Sequence, residues 1–482
     1  MLGNVKAADD SDKHKSFLED KKDATELTLP SSTWNKILHT YMLWGQFKNL
    51  KKLELNNNEL TTLPACLDAL PSLEILFLSE NKFETIPECI GRMSKLRMLS
   101  FRGNCLKELS STNLPTSSLV WLILTNNDIG KINPNVKELK LLRKLMLSHN
   151  KIPNIPKELG ECKDLELIRL ANNDINVPLP NEFLTLPKLA WISLAGNPIA
   201  HNPQILKERE ILKSSVTVDE SRVLGRGASG TVYLGQYNDK DVAVKIFKQQ
   251  SMGSDGCAAD EARINAVVDH PLAVSAHGVF LSDDGSPEGM AMELLEGAEA
   301  LGCVPSFNTV TRDAGPSDTA KDLSKDQVLS VVWNTAIALE HVHSSANVVN
   351  GDIYLHNILQ TSKDLGTTKM SDWGASFIYD GNDNDSAATF EAIEVLAFGR
   401  LVQDLFDWHI GTALPDSTEP ADFLGRTRGD QALERGPFYD LMSSILQPVQ
   451  KKRPTFATIK AKLSSMPEFQ ACKQSTEKLE AR

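Results

Sequence analysis

Asparagine recurs through the first half of this 482-residue chain at a nearly constant interval. The interval is 23 residues five times and 24 residues once. The seven positions are Asn58, Asn81, Asn104, Asn127, Asn150, Asn173 and Asn197. A fixed period of this length is typical of stacked structural units that each contact only their neighbours. The spacing therefore predicts a repeat array over residues 50–200 and argues against one globular core for the whole chain.

Leucines surround these asparagines in one pattern. The first copy has Leu50, Leu53 and Leu55 before Asn58, with Leu60 after it. The pattern resembles the leucine-rich repeat, L-x-x-L-x-L-x-x-N-x-L, in seven consecutive copies. The resemblance implies an α/β solenoid in which each copy supplies a short strand and an asparagine that bonds the backbone between successive coils.

The ends of such an array need covering, because a single repeat cannot bury its apolar face alone. We expect a disordered tail at residues 1–23 and a repeat domain, with its caps, at residues 24–215. The N-terminal cap at 24–49 is predicted to be helical, with apolar residues Trp34, Ile37, Leu38, Tyr41 and Leu43. Residues 198–215 are expected to close the other end, and the sequence ILKEREILK within them is predicted to be helical.

The concave face of the array is unusually apolar. Eight of the fourteen side chains expected to point out of the repeat strands are apolar, and such surface on a solvated sheet usually marks a contact site. The centre of the predicted protein-binding surface consists of Phe77, Met98, Trp121, Ile123 and Met146. The alternative is that some of these residues pack on each other or under a flanking loop.

The formal net charge of −12 is unevenly distributed. Residues 1–200 carry 25 basic and 23 acidic side chains, against 26 and 40 in residues 201–482. Nucleic acids and anionic membranes are bound by basic surfaces. The charge balance argues against both kinds of partner for the second part of the chain.

Membrane and secretion signals are not apparent. No stretch is apolar over the length that a bilayer requires, and the first 23 residues are too charged for a signal peptide. Gly3 follows Leu2 rather than the initiator Met, so the myristoylation pattern is absent too. Seven scattered cysteines without a C-x-x-C pair fit a reducing compartment. We therefore expect a cytoplasmic protein.

A glycine-rich sequence follows the repeats. Gly225, Gly227, Gly230 and Val232 have G-x-G-x-x-G-x-V spacing, with β-forming residues on both sides. This predicts a strand, a glycine turn and a second strand rather than the strand-to-helix turn of a dinucleotide-binding fold. Glycines let backbone N–H groups approach phosphate oxygens, so the turn is a candidate phosphate site.

Four further charged motifs follow in a fixed order. They are Lys245 in VAVK, Glu261 in a helical pattern, Asp352 and Asn357 in NGDIYLHN, and Asp372 in MSDWG. Together with the glycines, they make residues 216–466 resemble a eukaryotic-type protein kinase domain, with residues 467–482 as a tail. The resemblance implies an α+β bilobal fold that binds ATP and Mg²⁺ between its lobes.

The resemblance also implies the site residues and their roles. Lys245 would hold nucleotide phosphates and be oriented by Glu261, while Asp352 would act as the catalytic base. Asn357 and Asp372 would hold Mg²⁺. The residues expected around the nucleotide are Gly225, Gly227, Gly230, Val232, Ala243, Lys245, Met292, Glu293 and Leu295.

Several positions depart from the family's pattern. Gly351 replaces the Arg that precedes the catalytic Asp, and Tyr354 stands where Ser/Thr kinases carry a Lys. Trp373 replaces the Phe of D-F-G, Glu394 stands where the family has an anchoring Asp, and no A-P-E sequence appears before it. The late Arg-Pro segment contains Arg453, whose usual carboxylate partner is missing. Glu391 or Glu394 could take the place of that partner in a salt bridge.

Two functions from different classes fit this sequence. The first is a Ser/Thr protein kinase that uses its repeats to bind proteins, and the second is a nucleotide-binding pseudokinase scaffold. We favour the kinase because all five residues that serve phosphate and metal electrostatics are present, namely Lys245, Glu261, Asp352, Asn357 and Asp372.

Overall fold

The structure is a computed structural model. It describes residues 21, 23–29, 47–200, 207–227, 229–248, 256, 258–361, 368–380, 384–409, 412–413, 431–432 and 435–480. The chain divides into two compact units. The first contains Met1–Ile168 and Asn173–Leu186, and the second contains Arg169–Asn172 and Pro187–Arg482.

The repeat region forms a parallel sheet of eight short strands in sequential order. They are β1 (Glu26–Thr28), β2 (Lys52–Glu54), β3 (Ile75–Phe77), β4 (Met98–Ser100), β6 (Trp121–Ile123), β8 (Lys144–Met146), β9 (Leu167–Arg169) and β10 (Trp191–Ser193). A second, two-stranded sheet pairs β5 (Glu108–Leu109) with β7 (Lys131–Ile132). The segments between strands contain 3-10 turns at Ala65–Ala69, Glu88–Arg92, Pro134–Glu138 and Lys157–Glu161, and the short helix α1 (Asn181–Leu184).

The predicted asparagine ladder is confirmed. All seven repeat asparagines are buried. Asn127, for example, donates through Nδ2 to the carbonyl oxygens of Phe101 and Leu124 at 2.9 and 3.0 Å, and its Oδ1 accepts from Leu106 N at 3.0 Å. One side chain thus satisfies backbone groups of its own coil and of the preceding one, which fixes the stacking distance.

The two predicted caps differ from expectation where they are described. In the N-terminal cap, Glu26–Thr28 forms a strand paired with β2 instead of a helix, while the apolar residues predicted for that cap lie outside the described residues. Of the sequence ILKEREILK, Lys207–Arg209 and Lys213–Ser215 form 3-10 turns. Between these turns, Glu210 bridges to Val279 and Ile211 N donates to Val279 O at 2.9 Å, because the chain follows a sheet edge there.

The second unit begins with a five-stranded antiparallel sheet in the order β11-β12-β13-β15-β14. These strands are β11 (Val216–Arg226), β12 (Gly230–Tyr237), β13 (Lys240–Phe247), β14 (Ala276–Leu281) and β15 (Pro287–Met292). Helix α2 (Ala258–Val267) packs against β14 and β15. We call these elements the sheet lobe, and they confirm the predicted strand, glycine turn and strand.

The helical lobe follows. It contains α3 (Lys325–Ala346), α4 (Asn384–His409), α5 (Pro437–Ile445), α6 (Phe456–Ser465) and α7 (Gln470–Glu480). Its short strands are β16 (Ala298–Ala300), β17 (Gly302–Cys303), β18 (Gly315–Pro316), β19 (Val348–Val349), β20 (Ile358–Thr361), β21 (Thr368–Met370), β22 (Phe377–Ile378), β23 (Thr412–Ala413) and β24 (Gln431–Ala432). Further 3-10 turns lie at Asp318–Ala320, Leu355–Asn357, Gln450–Lys452 and Pro467–Phe469.

Helix α3 is the central helix of this lobe. A capping box between Ser324 and Gln327 starts it, and Asn347 ends it in the left-handed conformation at φ 50°. Residues 470–480, treated above as part of a tail, form helix α7. Its Thr476 accepts a hydrogen bond from the indole of Trp333 on α3 at 2.9 Å. No described helix combines the length and the hydropathy needed to cross a membrane.

Candidate active site

One face of the five-stranded sheet carries most of the residues predicted to bind nucleotide. Alternation along β13 puts Ala243 and Lys245 on the same face. Val232 lies opposite Lys245, and Met292 lies opposite Ala243. Gly225 lies opposite Val232 on the next strand. Because residues directly opposite each other share a face, the register brings these five positions together.

Helix α2 adds an acidic group to this face. The Glu261 carboxylate forms an ion pair with the Lys245 ammonium, and their side chains are only 3% and 11% exposed. Burial raises the pKa of Glu261, and the charge of Asp372 adds to this while Lys245 opposes it. Glu261 Oε2 is buried and meets no hydrogen-bond donor among the described residues, which leaves an acceptor facing the site. The Lys–Glu pairing expected from the sequence is therefore formed.

The glycine turn leaves room for a ligand. A Cβ at Gly225 would meet nothing within 4 Å, and one at Gly227 would meet only Gly230 O, at 3.9 Å. Gly230 differs, because a Cβ there would collide with the carbonyl oxygen of Ile246 on β13. Gly230 is thus required by strand packing, whereas Gly225 and Gly227 border open space of the kind a phosphate chain would fill.

Two buried carboxylates, those of Glu394 and Asp313, bind the backbone of the loop at residues 350–357. Glu394 on α4 accepts from the backbone N–H groups of Asn350 at 3.0 Å and Gly351 at 2.7 Å. Asp313 accepts from Leu355 N at 2.8 Å and pairs with His356 Nδ1 at 2.5 Å. Both ends of the loop are therefore fixed by hydrogen bonds to buried carboxylates. The anchoring role expected for Glu394 is present, whereas Asp313 was not foreseen.

His356 titrates in this setting. Burial lowers its pKa, but the hydrogen bond and charge of Asp313, with Asp352 and Asp372, outweigh that effect and raise the pKa overall. A larger fraction of the imidazole is therefore protonated near neutral pH than in an ordinary histidine.

The segments that carry the two expected metal ligands are hydrogen-bonded to each other. Ser371 donates through N and Oγ to Asn357 O at 2.8 and 2.9 Å, which fastens the turn carrying Asp372 to the loop carrying Asn357. Asp372 adopts a left-handed conformation at φ 59°, unusual for a residue with a side chain and typical of functional sites. Its Oδ1 accepts from Gly374 N at 3.0 Å.

These groups fit a magnesium nucleotide. Among the described residues, no group of three or more His, Cys, Asp or Glu side chains is placed to hold a metal ion alone. Mg²⁺ in nucleotide sites instead takes one or two protein oxygens and completes its shell with phosphate and water. Asn357 and Asp372 could supply those oxygens, beside the open glycine turn and the unpartnered Glu261 oxygen.

Comparison with known proteins agrees with this geometry. The model of the protein kinase domain matches residues 218–396. Leucine-rich repeat models match residues 117–175 and 140–199, and a two-copy repeat model matches residues 48–88. The chain consists of leucine-rich repeats followed by a protein kinase domain.

Relatives of the kinase domain come from distant organisms. The dual specificity protein kinase shkA of Dictyostelium discoideum is 31% identical over 37% of this chain and 31% of its own length. A putative leucine-rich repeat receptor-like protein kinase of Arabidopsis thaliana is 28% identical over 42% of this chain and 21% of its own. The serine/threonine-protein kinase PkaB of Streptomyces coelicolor is 28% identical over 29% of this chain and 30% of its own. The matches thus span less than a third of these relatives.

The kinase domain has an unexpected neighbour at its catalytic loop. Residues 169–172 and 187–200, here called the docked segment, belong to the same compact unit as the loop. Arg169 donates to Gly351 O at 2.6 Å and forms an ion pair with Asp352 Oδ1. Asp352 Oδ2 accepts from Asn357 Nδ2 at 2.7 Å. Both oxygens of the expected catalytic base are therefore engaged within the protein.

Trp191 of the docked segment covers Ile353 and Tyr354, which follow Asp352 in the chain. Its ring stacks on Tyr354 with centroids 4.9 Å apart and an interplanar angle of 2°. Its Nε1 donates to Ile353 O at 3.1 Å. Arg169 and Trp191 are two of the fourteen side chains expected to point out of the repeat strands, and neither was predicted to belong to the site. The sequence signal for their role was weak: a tryptophan and an arginine at positions expected to face solvent.

Three further side chains of the kinase domain differ in whether their polar groups find partners. Asn265 on α2 is buried, and its Nδ2 donates to Glu261 O at 2.9 Å, so its polarity is satisfied. Trp373 is buried, and its indole N–H has no acceptor among the described residues. The Glu293 carboxylate accepts from Lys369 at 2.6 Å, and the Glu293 N–H donates to Ser275 O at 3.0 Å. Leu295 O accepts from Ala298 N at 3.2 Å.

The ion pair suggested for Arg453 was wrong. Arg453 donates to the carbonyl oxygens of Gln447, Ala392 and Pro187 at 2.8, 2.9 and 2.9 Å. Glu391 instead accepts from a backbone N–H on α6. Burial and the nearby Arg400 lower the pKa of Arg453 to about 9. Carbonyl oxygens thus replace the carboxylate that the sequence suggested.

The predicted protein-binding surface in the repeats is only partly exposed. Met98 and Met146 are each 7% exposed and so belong to the interior. Phe77, Trp121 and Ile123 are intermediate. The Lys144 ammonium lies 4.2 Å from the centroid of the Trp121 ring. The accessible part of this surface is narrower than the sequence indicated.

Proposed function

We propose that this chain is an ATP-dependent protein kinase that phosphorylates Ser or Thr hydroxyls of proteins. The main support is the buried Lys245–Glu261 ion pair on the sheet face that also carries Gly225, Val232 and Ala243. An ammonium held in this way beside an open glycine turn suits the phosphates of a nucleotide. A structural ion pair alone would not need the turn or the neighbouring carboxylates.

Each group has a role in this proposal. When bound, the nucleotide would supply the phosphoryl group, and its Mg²⁺ would neutralise the charge of the phosphates. Lys245 holds the phosphates, and Asn357 and Asp372 provide oxygens for the metal. Asp352 accepts the proton of the acceptor hydroxyl, which requires that hydroxyl within hydrogen-bond reach. Glu394 and Asp313 keep the loop in place while this happens.

The choice of Ser or Thr rests on the relatives named as serine/threonine or dual specificity kinases. The catalytic loop does not decide between Ser/Thr and Tyr as the acceptor. Tyr354 stands where Ser/Thr kinases carry a Lys, and His356 stands where tyrosine kinases carry an Arg.

A pseudokinase scaffold is the second candidate function. The observation that favours it is the ion pair of Asp352 with Arg169, which occupies an oxygen that a working base needs. This candidate predicts nucleotide binding without phosphoryl transfer.

One assay separates the two candidates. Full-length protein is incubated with Mg²⁺, radiolabelled ATP and a generic protein substrate, followed by phosphoamino acid analysis. We expect label on Ser or Thr, and a loss of about 10²–10⁴-fold in Asp352→Asn, the usual contribution of a general base. Asp241→Asn, which removes the charge of an exposed carboxylate on the sheet lobe, is the control.

Nucleotide binding is measured in parallel by fluorescence or calorimetry. Lys245→Met should weaken it, whereas Asp352→Asn should leave it nearly unchanged. Should wild type bind nucleotide yet transfer no more label than Asp352→Asn, the kinase proposal fails and the scaffold stands.

The repeats are proposed to bind a protein partner on their concave face through Phe77, Trp121 and Ile123. Leucine-rich repeats commonly present such surfaces, and the partial exposure of these side chains supports contact there. A cytoplasmic location is also proposed, supported by six free cysteines among the described residues.

A further inference from the structure

The docked segment binds three consecutive residues of the catalytic loop. Arg169 bonds Gly351 O and pairs with Asp352, while Trp191 bonds Ile353 O. Backbone and side chain are both engaged, so the segment fixes the loop and covers its functional group at once.

The side chains that make these contacts are largely shielded from solvent. The side chain of Arg169 is 2% exposed and that of Asp352 is 16% exposed. Trp191 is 2% exposed. A protein substrate has to place its hydroxyl about 3 Å from an oxygen of Asp352 before a proton can pass. The guanidinium of Arg169 already holds Oδ1, and the amide of Asn357 holds Oδ2.

The loop sequence is matched to the docked segment. A Cβ on Gly351 would lie 2.7 Å from the carbonyl oxygen of Ile192, so strand β10 approaches more closely than any other residue would allow. Tyr354, where related kinases carry a cation, offers a flat ring to Trp191. Both departures from the family's pattern therefore fit the covered state of the loop.

The groups predicted to hold the nucleotide phosphates are paired with each other. Lys245 and Glu261 form their ion pair on the sheet lobe, whereas Arg169 bonds Gly351 and Asp352, and Trp191 bonds Ile353. The docked segment also approaches α2, since a Cβ on Gly196 would lie 3.3 Å from Asp260 Oδ2. The bonds of Arg169 and Trp191 to the loop therefore bear on the protein acceptor and not on the Lys245–Glu261 pair.

We propose that the docked segment is an autoinhibitory contact. Arg169 and Trp191 keep the catalytic loop closed to protein substrates, and phosphoryl transfer requires the segment to leave the loop. This inference rests on the proposed kinase function. It identifies an inhibitor within the chain itself, supplied by the last repeat strands.

The test compares full-length Arg169→Ala with wild type. Losing the guanidinium removes the bond to Gly351 O and the ion pair with Asp352 Oδ1. If about nine-tenths of the molecules are docked, release raises the competent fraction, and hence kcat/KM for a generic protein substrate, about tenfold. The Kd for nucleotide should stay unchanged, because the sheet lobe is not altered. Asp352→Asn in the Arg169→Ala background should abolish the gain.

Arg143→Ala is the matched control. Arg143 forms a buried two-bond ion pair with Glu166, at 2.8 and 2.9 Å, and both residues belong to the first compact unit. It reports the general effect of breaking a buried ion pair in the repeats. We expect no gain in kcat/KM for this variant.

A second pair of variants guards against misfolding of Arg169→Ala. Trp191→Phe keeps an aromatic ring on Tyr354 but loses the bond to Ile353 O, whereas Trp191→Ala loses both. We expect activity to rise in the order wild type, Trp191→Phe, Trp191→Ala. Hydrogen–deuterium exchange of the peptide spanning residues 350–357 should increase in the same order.

The outcomes separate the two proposals. If wild type phosphorylates substrate and neither Arg169→Ala nor Trp191→Ala is faster, the inhibitory contact is refuted while the kinase function stands. A lower kcat in Arg169→Ala with unchanged exchange would instead make Arg169 a positioning residue for Asp352, which also overturns the inference. If every variant binds nucleotide but transfers nothing, both proposals fail together.

Discussion

Gly351 shows how a single position can reflect two constraints. Its φ of 73° lies in the left-handed region that residues with side chains seldom adopt. A Cβ at this position would also lie 2.7 Å from Ile192 O and 2.9 Å from Ala375 O. The missing Arg before Asp352 is thus explained by geometry, since no side chain fits.

We therefore predict that Gly351→Ala destabilises the kinase domain. The backbone strain contributes about 1–3 kcal/mol, and the close contact with Ile192 adds to it. Gly285→Ala is the control, because Gly285 has φ 81° but nothing within 4 Å of its would-be Cβ. Thermal unfolding measures both variants. Equal losses in the two would show that the approach of β10 adds nothing.

Among the elements, the asparagine ladder stabilises the stacking of the repeats. Each turn leaves backbone groups inside the coil that water cannot reach, and an asparagine amide offers both donors and an acceptor to them. Asn127 uses both functions, toward Phe101, Leu124 and Leu106. The regular 23-residue spacing follows, because each amide has to meet the coil before it.

Asn127→Ala should lower the free energy of unfolding of the repeats by about 2–4 kcal/mol, because buried carbonyl and N–H groups lose their partners. Asn133→Ala is the matched control, since its Nδ2 only meets the exposed carboxylate of Glu108, at 2.9 Å. Urea unfolding followed by circular dichroism measures the difference. A loss no larger than that of Asn133→Ala would contradict the structural role of the ladder.

At the scale of the whole molecule, the division into two compact units does not follow the change of motif. The first unit holds the earlier repeats, and the second holds the kinase domain together with residues 169–172 and 187–215. The proposed partner surface and the proposed catalytic loop thus belong to different units, while β10 and Arg169 of β9 belong to the unit of the loop.

Partner binding should accordingly depend on the first unit. We expect Phe77→Ala with Trp121→Ala to abolish co-precipitation of a protein partner identified with wild type. Phosphorylation of a generic substrate should not change in this variant. Val177→Ala, which removes an apolar side chain that is 43% exposed elsewhere in the repeats, is the control. Unchanged partner recovery in the double variant would refute the concave-face proposal.

Much of the fold follows from local patterns. The repeat period, the glycine turn, the VAVK strand and the helix that carries Glu261 are each written within a few tens of residues, where strand and helix periodicity is readable. The caps were less predictable. The segment at 207–215 has helical composition but follows the edge of a sheet, because tertiary pairing with Val279 outweighs helix propensity.

The sequence by itself determined that leucine-rich repeats precede a kinase domain, and it predicts that Lys245, Glu261, Asn357 and Asp372 serve a phosphate site, because motif order and spacing carry that information. Only the tertiary structure decided what meets Asp352. Arg169 lies 183 residues before it along the chain, and no local pattern links the two. An ion pair of that kind arises when strands β9 and β10 meet the loop, which depends on packing and not on any period.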